Sequence, residues 1–414
     1  MKNILIFGII AIFLVLVACD SKKTVEHTYQ IYVPIYKTYA EIRNGISFKS
    51  PQLLKEPGKI YVYGTYLFIN EKGKGIHIID NSKPSNPVFL SYIEIPGNYD
   101  LAIRKGILYT DSYTDLVAFN IANPASPVQV KRIESIFPNL LDPQDQYVDP
   151  EKGIVVGYEI KDTTITYETG SGDVVGPLFD DSREVGSKNT SGATNPTGKG
   201  GSMARFTIVG NYMYSVDRSN LQVFDISQAE NPRPWSKVNI GWDIETIFPY
   251  KDNLFIGSMT GMFIYDITNP INPVFLSTFT HARNCDPVVA EDNIAYITLR
   301  AGTRCGGSQN QLDIVDITNI TNPKAITSYP MQGPYGLAVD NKIIFICDGI
   351  AGLKVFDANQ PKDLKLLTWE SDVSAYDVIL LNNSALLIGE RGFYQYDYSN
   401  PSSLKLLSII EVNK

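Results

Sequence analysis

Apolar and polar positions follow one another along this chain in a recurring unit. A short apolar run ends on an acidic or amide residue, a turn rich in Asn and Pro follows, and a second apolar run closes the unit, as in GIHIIDNSKPSNPVFLSYIEI and GMFIYDITNPINPVFLSTFTH. Seven copies carry the end-of-strand marker at Asp80, Asn120, Asp225, Asp266, Asp316, Asp357 and Asp397, at spacings of 40, 105, 41, 50, 41 and 40. A period near 40 without helical patterning suits four strands of about 5–6 residues with their turns. Ahead of each unit lies a hairpin of two apolar strands around a polar turn, as in DLAIRKGILYTDS and GLAVDNKIIFICD. Hairpin plus unit gives an all-β fold, a seven-bladed β-propeller of four-stranded blades running from about 57 to 412.

The phrase I-V-D followed by I-T-N-P-x-N-P resembles the LVIVD repeat of bacterial and archaeal cell-surface proteins, across nearly all of the chain outside one insertion. The resemblance implies a propeller and a surface location, and says little about activity. Asn120 departs from the usual Asp, and the last two copies lack the second Pro. Both read as turn variation. The marker acids themselves read as turn formers: an Asp or Asn at a strand end, followed by Ser, Asn and Pro, hydrogen-bonds its own backbone and sets the bend.

At the start, Met1-Lys2-Asn3 precedes an apolar stretch from Ile4 to Val17 that ends in Leu16-Val17-Ala18-Cys19. Fourteen apolar residues suit a signal peptide better than a membrane span. Small residues before this Cys resemble a bacterial lipobox, in which Cys19 is acylated and holds the protein on a membrane. The expected organisation is a signal peptide over 1–18, a lipidated N-terminus and tether over 19–56, and the propeller over 57–414. The expected address is the cell envelope, with the outer membrane first. Tyr29, Tyr32, Tyr36 and Tyr39 make the tether too aromatic for simple disorder, so its latter half should dock on the propeller, with a short helix around YKTYAEIRNGI.

Charge narrows the partners. Formal net charge is -8, and loss of 1–18 removes only Lys2, giving -9. With no basic run, nucleic acid is excluded as a partner, leaving an envelope or extracellular protein or glycan bound by a monomer.

The repeat is interrupted twice: by 136–202, between the outer strand of blade two and the inner strand of blade three, and by AGTRCGGSQN at 301–310, inside blade five. Both connections leave from one face of the disc, which places function there. Within the insertion, GIVVGYEI and TTITYET read as a hairpin about Lys161-Asp162. The Gly-, Ser- and Thr-rich remainder has the reach to cross the ring's axis. Asp142, Asp145 and Asp149 lack the alternate-residue pattern of a calcium loop and read as solvated acids. Cys285 and Cys305 fall on the same face of blade five and form a candidate disulfide, worth on the order of 3 kcal/mol; free thiols or a metal pair are the alternatives. Cys347 reads as a core residue.

Aligning the hairpins puts the residue that opens each inner strand toward the axis: Lys59, Asp100, Arg205, Glu245 or Thr246, Asp286, Gly336 and Asp377. With Arg300 and Arg304 beside it, this mixed-charge funnel suits a polar or anionic ligand; a solvated pore with internal ion pairs is the alternative. The only histidines are His27, His77 and His281. No nucleophile elbow, metal-spaced His pair or phosphate loop is present, so neither cofactor nor metal is expected. His281, Arg283 and Asp286 come nearest to a catalytic cluster. The candidate ligand-binding set is therefore Asp100, Arg205, His281, Asp286, Arg300, Arg304 and Asp377, in a binding module. A propeller hydrolase or lyase acting on carbohydrate or lactone is the alternative.

Overall fold

The computed structural model describes residues 24–139, 141, 149–168, 199–281, 287–302 and 308–413. Seven antiparallel sheets form the blades of a propeller ring, each with four blade strands in sequence order; in blade one a further short strand is added at each edge. The inner strands are Pro57–Tyr63, Leu101–Arg104, Phe206–Val209, Ile244–Tyr250, Val288–Glu291, Leu337–Asp340 and Ala375–Leu381. Each lies beside the next, and the last returns to the first.

Turn chemistry explains why the unit recurs. At all seven markers the side-chain Oδ1 accepts the backbone N–H two residues on, from Ser82, Ala122, Ser227, Thr268, Thr318, Asn359 and Ser399, at 2.7–2.9 Å. The residue after each marker donates its N–H to the turn between the first two strands, as Ile121 does to Gly106 and Ile317 to Asn293. A second recurrence begins the third strand: at Gly75, Gly261, Gly352 and Gly392 an added Cβ would lie 2.0–2.5 Å from an outer-strand carbonyl. Only glycine admits that approach.

Blades adhere through shared apolar faces. Six clusters of buried side chains bridge neighbours around the ring, and one of them joins Ile60 and Ile69 of blade one to Ile379, Leu386 and Phe393 of blade seven. Hydroxyls on outer strands add a polar fastening. Ser91, Ser236, Ser277, Thr368 and Ser408 each donate to a turn carbonyl of the following blade, and Ser408 to Pro84 closes the circle. At that closure Gln395 and Asn81 exchange two hydrogen bonds, at 2.7 and 2.8 Å.

The stretch before blade one is ordered. Thr38 caps the helix Tyr39–Asn44 through a capping box with Glu41, and Ile42 is buried. Arg43 pairs with Asp115, which also holds Arg132 at 2.7 Å. The strand Ser47–Lys49 extends blade one at its outer edge. Buried Glu71 accepts the N–H groups of Lys55 and Glu56 and meets His77 at 3.0 Å, so this histidine is structural.

Two expectations for the insertion are corrected. The segment about Lys161-Asp162 is no hairpin: Ile154–Glu168 is one continuous strand that pairs with Thr24–Lys37 in a separate two-stranded sheet. Neither Lys161 nor Asp162 takes the positive φ that a tight hairpin needs. Nor is the insertion confined to one face. Lys199–Gly200 pairs antiparallel with the inner strand of blade one, Lys199 opposite Val62 and Gly200 opposite Tyr61. The returning chain therefore enters the channel at the turn end of that strand and climbs the axis toward its head. The candidate disulfide, Cys285 with Cys305, lies outside the described residues, as do Cys19, Asp142 and Asp145. Asp149 pairs with Lys152 at 3.2 Å, and Cys347 is a buried core thiol.

Candidate functional site

The heads of the inner strands meet at one end of the channel, around the climbing segment. Lys59 donates to Asp100 Oδ2 at 3.1 Å and to the carbonyl of Met203. Asp100, 2% exposed, also accepts the backbone N–H groups of Leu101 and Arg205. Behind it, buried Asp111 accepts N–H groups from Tyr99 at 2.7 Å and Asp100 at 3.0 Å, while the Arg205 guanidinium stands 3.5 Å away.

Asp377 is set deeper. Its carboxylate accepts from Val378 N–H at 3.0 Å and from the Ser202 hydroxyl at 3.4 Å, and the same Ser202 oxygen accepts Leu337 N–H. Glycines flank it: a Cβ on Gly201 would stand 2.0 Å from the carboxylate, and one on Gly336 would stand 2.2 Å away. Burial pushes Asp377 up to about 7, against the pull of Lys59. Glu245 is also pushed up to about 7 by burial, with Arg300 and Lys59 pulling it back. Burial raises Asp111 as well.

Asp377 lines a cavity of about 420 Å³ whose walls also include Lys59, Lys72, Tyr99, Arg205, Tyr335 and Tyr376. Tyr335 and Tyr376 stand 5.2 Å apart; Arg300 lies over the Tyr335 ring at 3.9 Å, and Lys72 is 5.7 Å from the Tyr376 ring. Among the described residues, four cations (Lys59, Lys72, Arg205, Arg300) face four acids (Asp100, Asp111, Glu245, Asp377). Burial raises three of those acids, Asp111, Glu245 and Asp377, above the ordinary carboxylate range, which weakens the negative side of this balance.

Of the residues singled out in the sequence, Asp100, Arg205 and Asp377 gather at this mouth, and Arg300 stacks on its wall. His281 does not line the cavity; it follows the outer strand Val274–Thr280, and its N–H points to Thr260. Asp286 and Arg304 lie outside the described residues. Sequence reasoning missed the tyrosines, yet a signal was present: Tyr99, Tyr335 and Tyr376 each immediately precede the residue that opens an inner strand, in NYDLAI, PYGLAV and AYDVIL. Among the described residues, no three His, Cys, Asp or Glu side chains gather as a metal site would require.

Comparison with known proteins bears on the fold. No curated protein matches the sequence. A structural neighbour is the periplasmic gluconolactonase of Pseudomonas aeruginosa, with a TM-score of 0.56 and 10% identity, over 86% of this chain and 96% of that one. Another is a functionally unknown protein from Desulfotomaculum acetoxidans, with a TM-score of 0.50 and 11% identity, over 85% and 95%. Saccharomyces cerevisiae Sqt1 also matches at 0.50, with 7% identity over 89% and 88%. Such identities show a shared architecture alone. The LVIVD repeat model matches residues 57–94, 200–237 and 305–330. The chain is a seven-bladed β-propeller that carries LVIVD repeats.

Proposed function

We propose that this propeller is a binding module of the cell envelope that takes an anionic, ring-bearing ligand, of the acidic-glycan class, at its axial mouth. The observation that carries this reading is the 420 Å³ cavity walled by three tyrosines with Lys59, Lys72 and Arg205. Tyrosine faces pack against sugar rings, and the cations answer a carboxylate. Anchoring through Cys19 is part of the same proposal: Cys19→Ser should lose both label from a palmitate analogue and membrane retention.

Calorimetric titration with a uronic-acid oligosaccharide and its neutral counterpart tests the mouth. The acidic sugar should bind at least tenfold more tightly, and Tyr335→Ala with Tyr376→Ala should erase that binding while the melting temperature holds. Affinity should fall as pH rises through about 7, because Asp377 and Glu245 then ionise beside the anion. Equal binding of both sugars, or an indifferent double variant, defeats the proposal.

A second reading, hydrolase or lyase chemistry on carbohydrate or lactone, is favoured by the same two carboxyls, since groups near 7 can both give and take a proton. Lactone turnover that disappears in Glu245→Gln would support it.

A further inference from the structure

The opposite end of the channel holds a second cavity, of about 560 Å³, with different chemistry. Its walls come from inner strands: Tyr61 of blade one, Phe206 at the start of that of blade three, Ile247 and Phe248 of blade four, and Leu381 at the end of that of blade seven. Tyr61, Phe206 and Ile247 are buried in the fold, so the apolar wall is held rigidly. One cation is set among them. Lys199, brought there by the climbing segment, donates its ammonium to the carbonyl of Leu380 at 2.7 Å and has no carboxylate partner among the described residues. A carbonyl satisfies one of three donors and supplies no counter-charge. Burial lowers the Lys199 pKa, while Asp340 and Glu291, beyond ion-pair distance, pull it back up.

We propose that this cavity is a binding site for a single-chain amphiphilic carboxylate, of the fatty-acid class, with its chain against Phe206, Ile247, Phe248 and Leu381 and its carboxylate on Lys199. Size is suitable, since small-ligand pockets are typically about 300–1,000 Å³. Complementarity is double: an apolar wall favours a chain that leaves water, and an ammonium that no carboxylate of the described residues contacts favours an anion over a neutral head. Gly200, Gly201 and Ala204 line this cavity while Met203 and Arg205 line the mouth, so one segment is a wall of both. The two sites are nonetheless distinct in chemistry and in test.

Calorimetry on the purified full chain separates the contributions, using decanoate, decanol and acetate. Decanoate should bind, decanol at least tenfold more weakly, and acetate not measurably. Lys199→Met should reduce decanoate affinity at least tenfold and bring it to the level of decanol, while Lys199→Arg should retain it. Leu381→Trp, which fills the cavity from a half-buried wall position, should abolish binding with the melting temperature as the check on folding. Tyr335→Ala, at the other end, should leave decanoate binding unchanged. Decanol binding as tightly as decanoate, an unaffected Lys199→Met, acetate equalling decanoate, undiminished binding by a folded Leu381→Trp, or no decanoate binding at all would each overturn the proposal.

Discussion

The two ends of the central channel are made from the same seven inner strands, yet they differ in almost every property that bears on function. One end is ringed by tight, near-identical turns: seven Asp or Asn side chains, each bonded to the N–H two residues on. The other end gathers strand heads that differ blade by blade, as Lys59, Asp100, Arg205, Glu245, Gly336 and Asp377 do, and it is the end from which the long connections depart. A closed ring needs its turns alike so that each blade seats on the next, while nothing in closure dictates the heads. Repetition therefore marks structure here, and departure from repetition marks the surface free to acquire chemistry. The segment 199–204, which runs up the axis between them, leads into the inner strand of blade three and walls both cavities.

The strongest way to break this arrangement is to remove the space that lets the segment pass. Gly201→Val would drive a side chain into the Asp377 carboxylate, already pressed from its other side by Gly336, with no room for a rotamer change. Overpacking of a closed site costs about 3 kcal/mol. Both cavities should be disturbed together, seen as a lower denaturation midpoint and loss of ligand at either end. A variant of undiminished stability would show that the axial segment is not fixed by Asp377.

Next in size is the charge of the mouth. Asp377 titrates near 7 in the fold against an ordinary 3.8, so the folded chain holds a proton that the unfolded chain releases across that interval. Its contribution is complete below about pH 4, declines as pH rises, and is lost above about 7, with an upper bound of ~4 kcal/mol. Asp377→Asn removes the ionisation. The variant should match the parent near pH 4 and exceed it by about 2 kcal/mol at pH 8 in chemical denaturation. Equal stability at both pH values would place the carboxyl in a better solvated setting. The apolar end should not respond to this substitution, which sharpens the contrast between the two.

How far the sequence disclosed these features follows from the same division. The blades were legible because turn acids, Asn- and Pro-rich turns and paired apolar runs recur, mostly at a period near 40. The axial position of Lys59, Asp100, Arg205 and Asp377 followed from aligning the repeats. The tyrosines beside them went unread because an aromatic next to an apolar strand reads as core. Tyr99 and Tyr335 stand just ahead of their strands and Tyr376 falls at a register shift in its own, which takes all three out of the regular pleat. The partner of Ile154–Glu168 was illegible for another reason: it is Thr24–Lys37, more than a hundred residues earlier, and strand pairing at that range leaves no local mark.

The smallest expected effect comes from the uniform end. Asp316 lies at the surface, its carboxylate held below the ordinary range by the Thr318 hydroxyl and N–H. Asp316→Ala removes that acceptor from one turn in seven while leaving Ile317 N–H bonded to Asn293 across the blade. Loss of a local side-chain-to-backbone bond of this kind loosens one turn, as loss of a cap does at a helix end. Stability should fall slightly, measured by chemical denaturation, with ligand affinity at the mouth unchanged. A drop in mouth affinity would mean that the two ends communicate through the blade, and the turns would then be more than a frame.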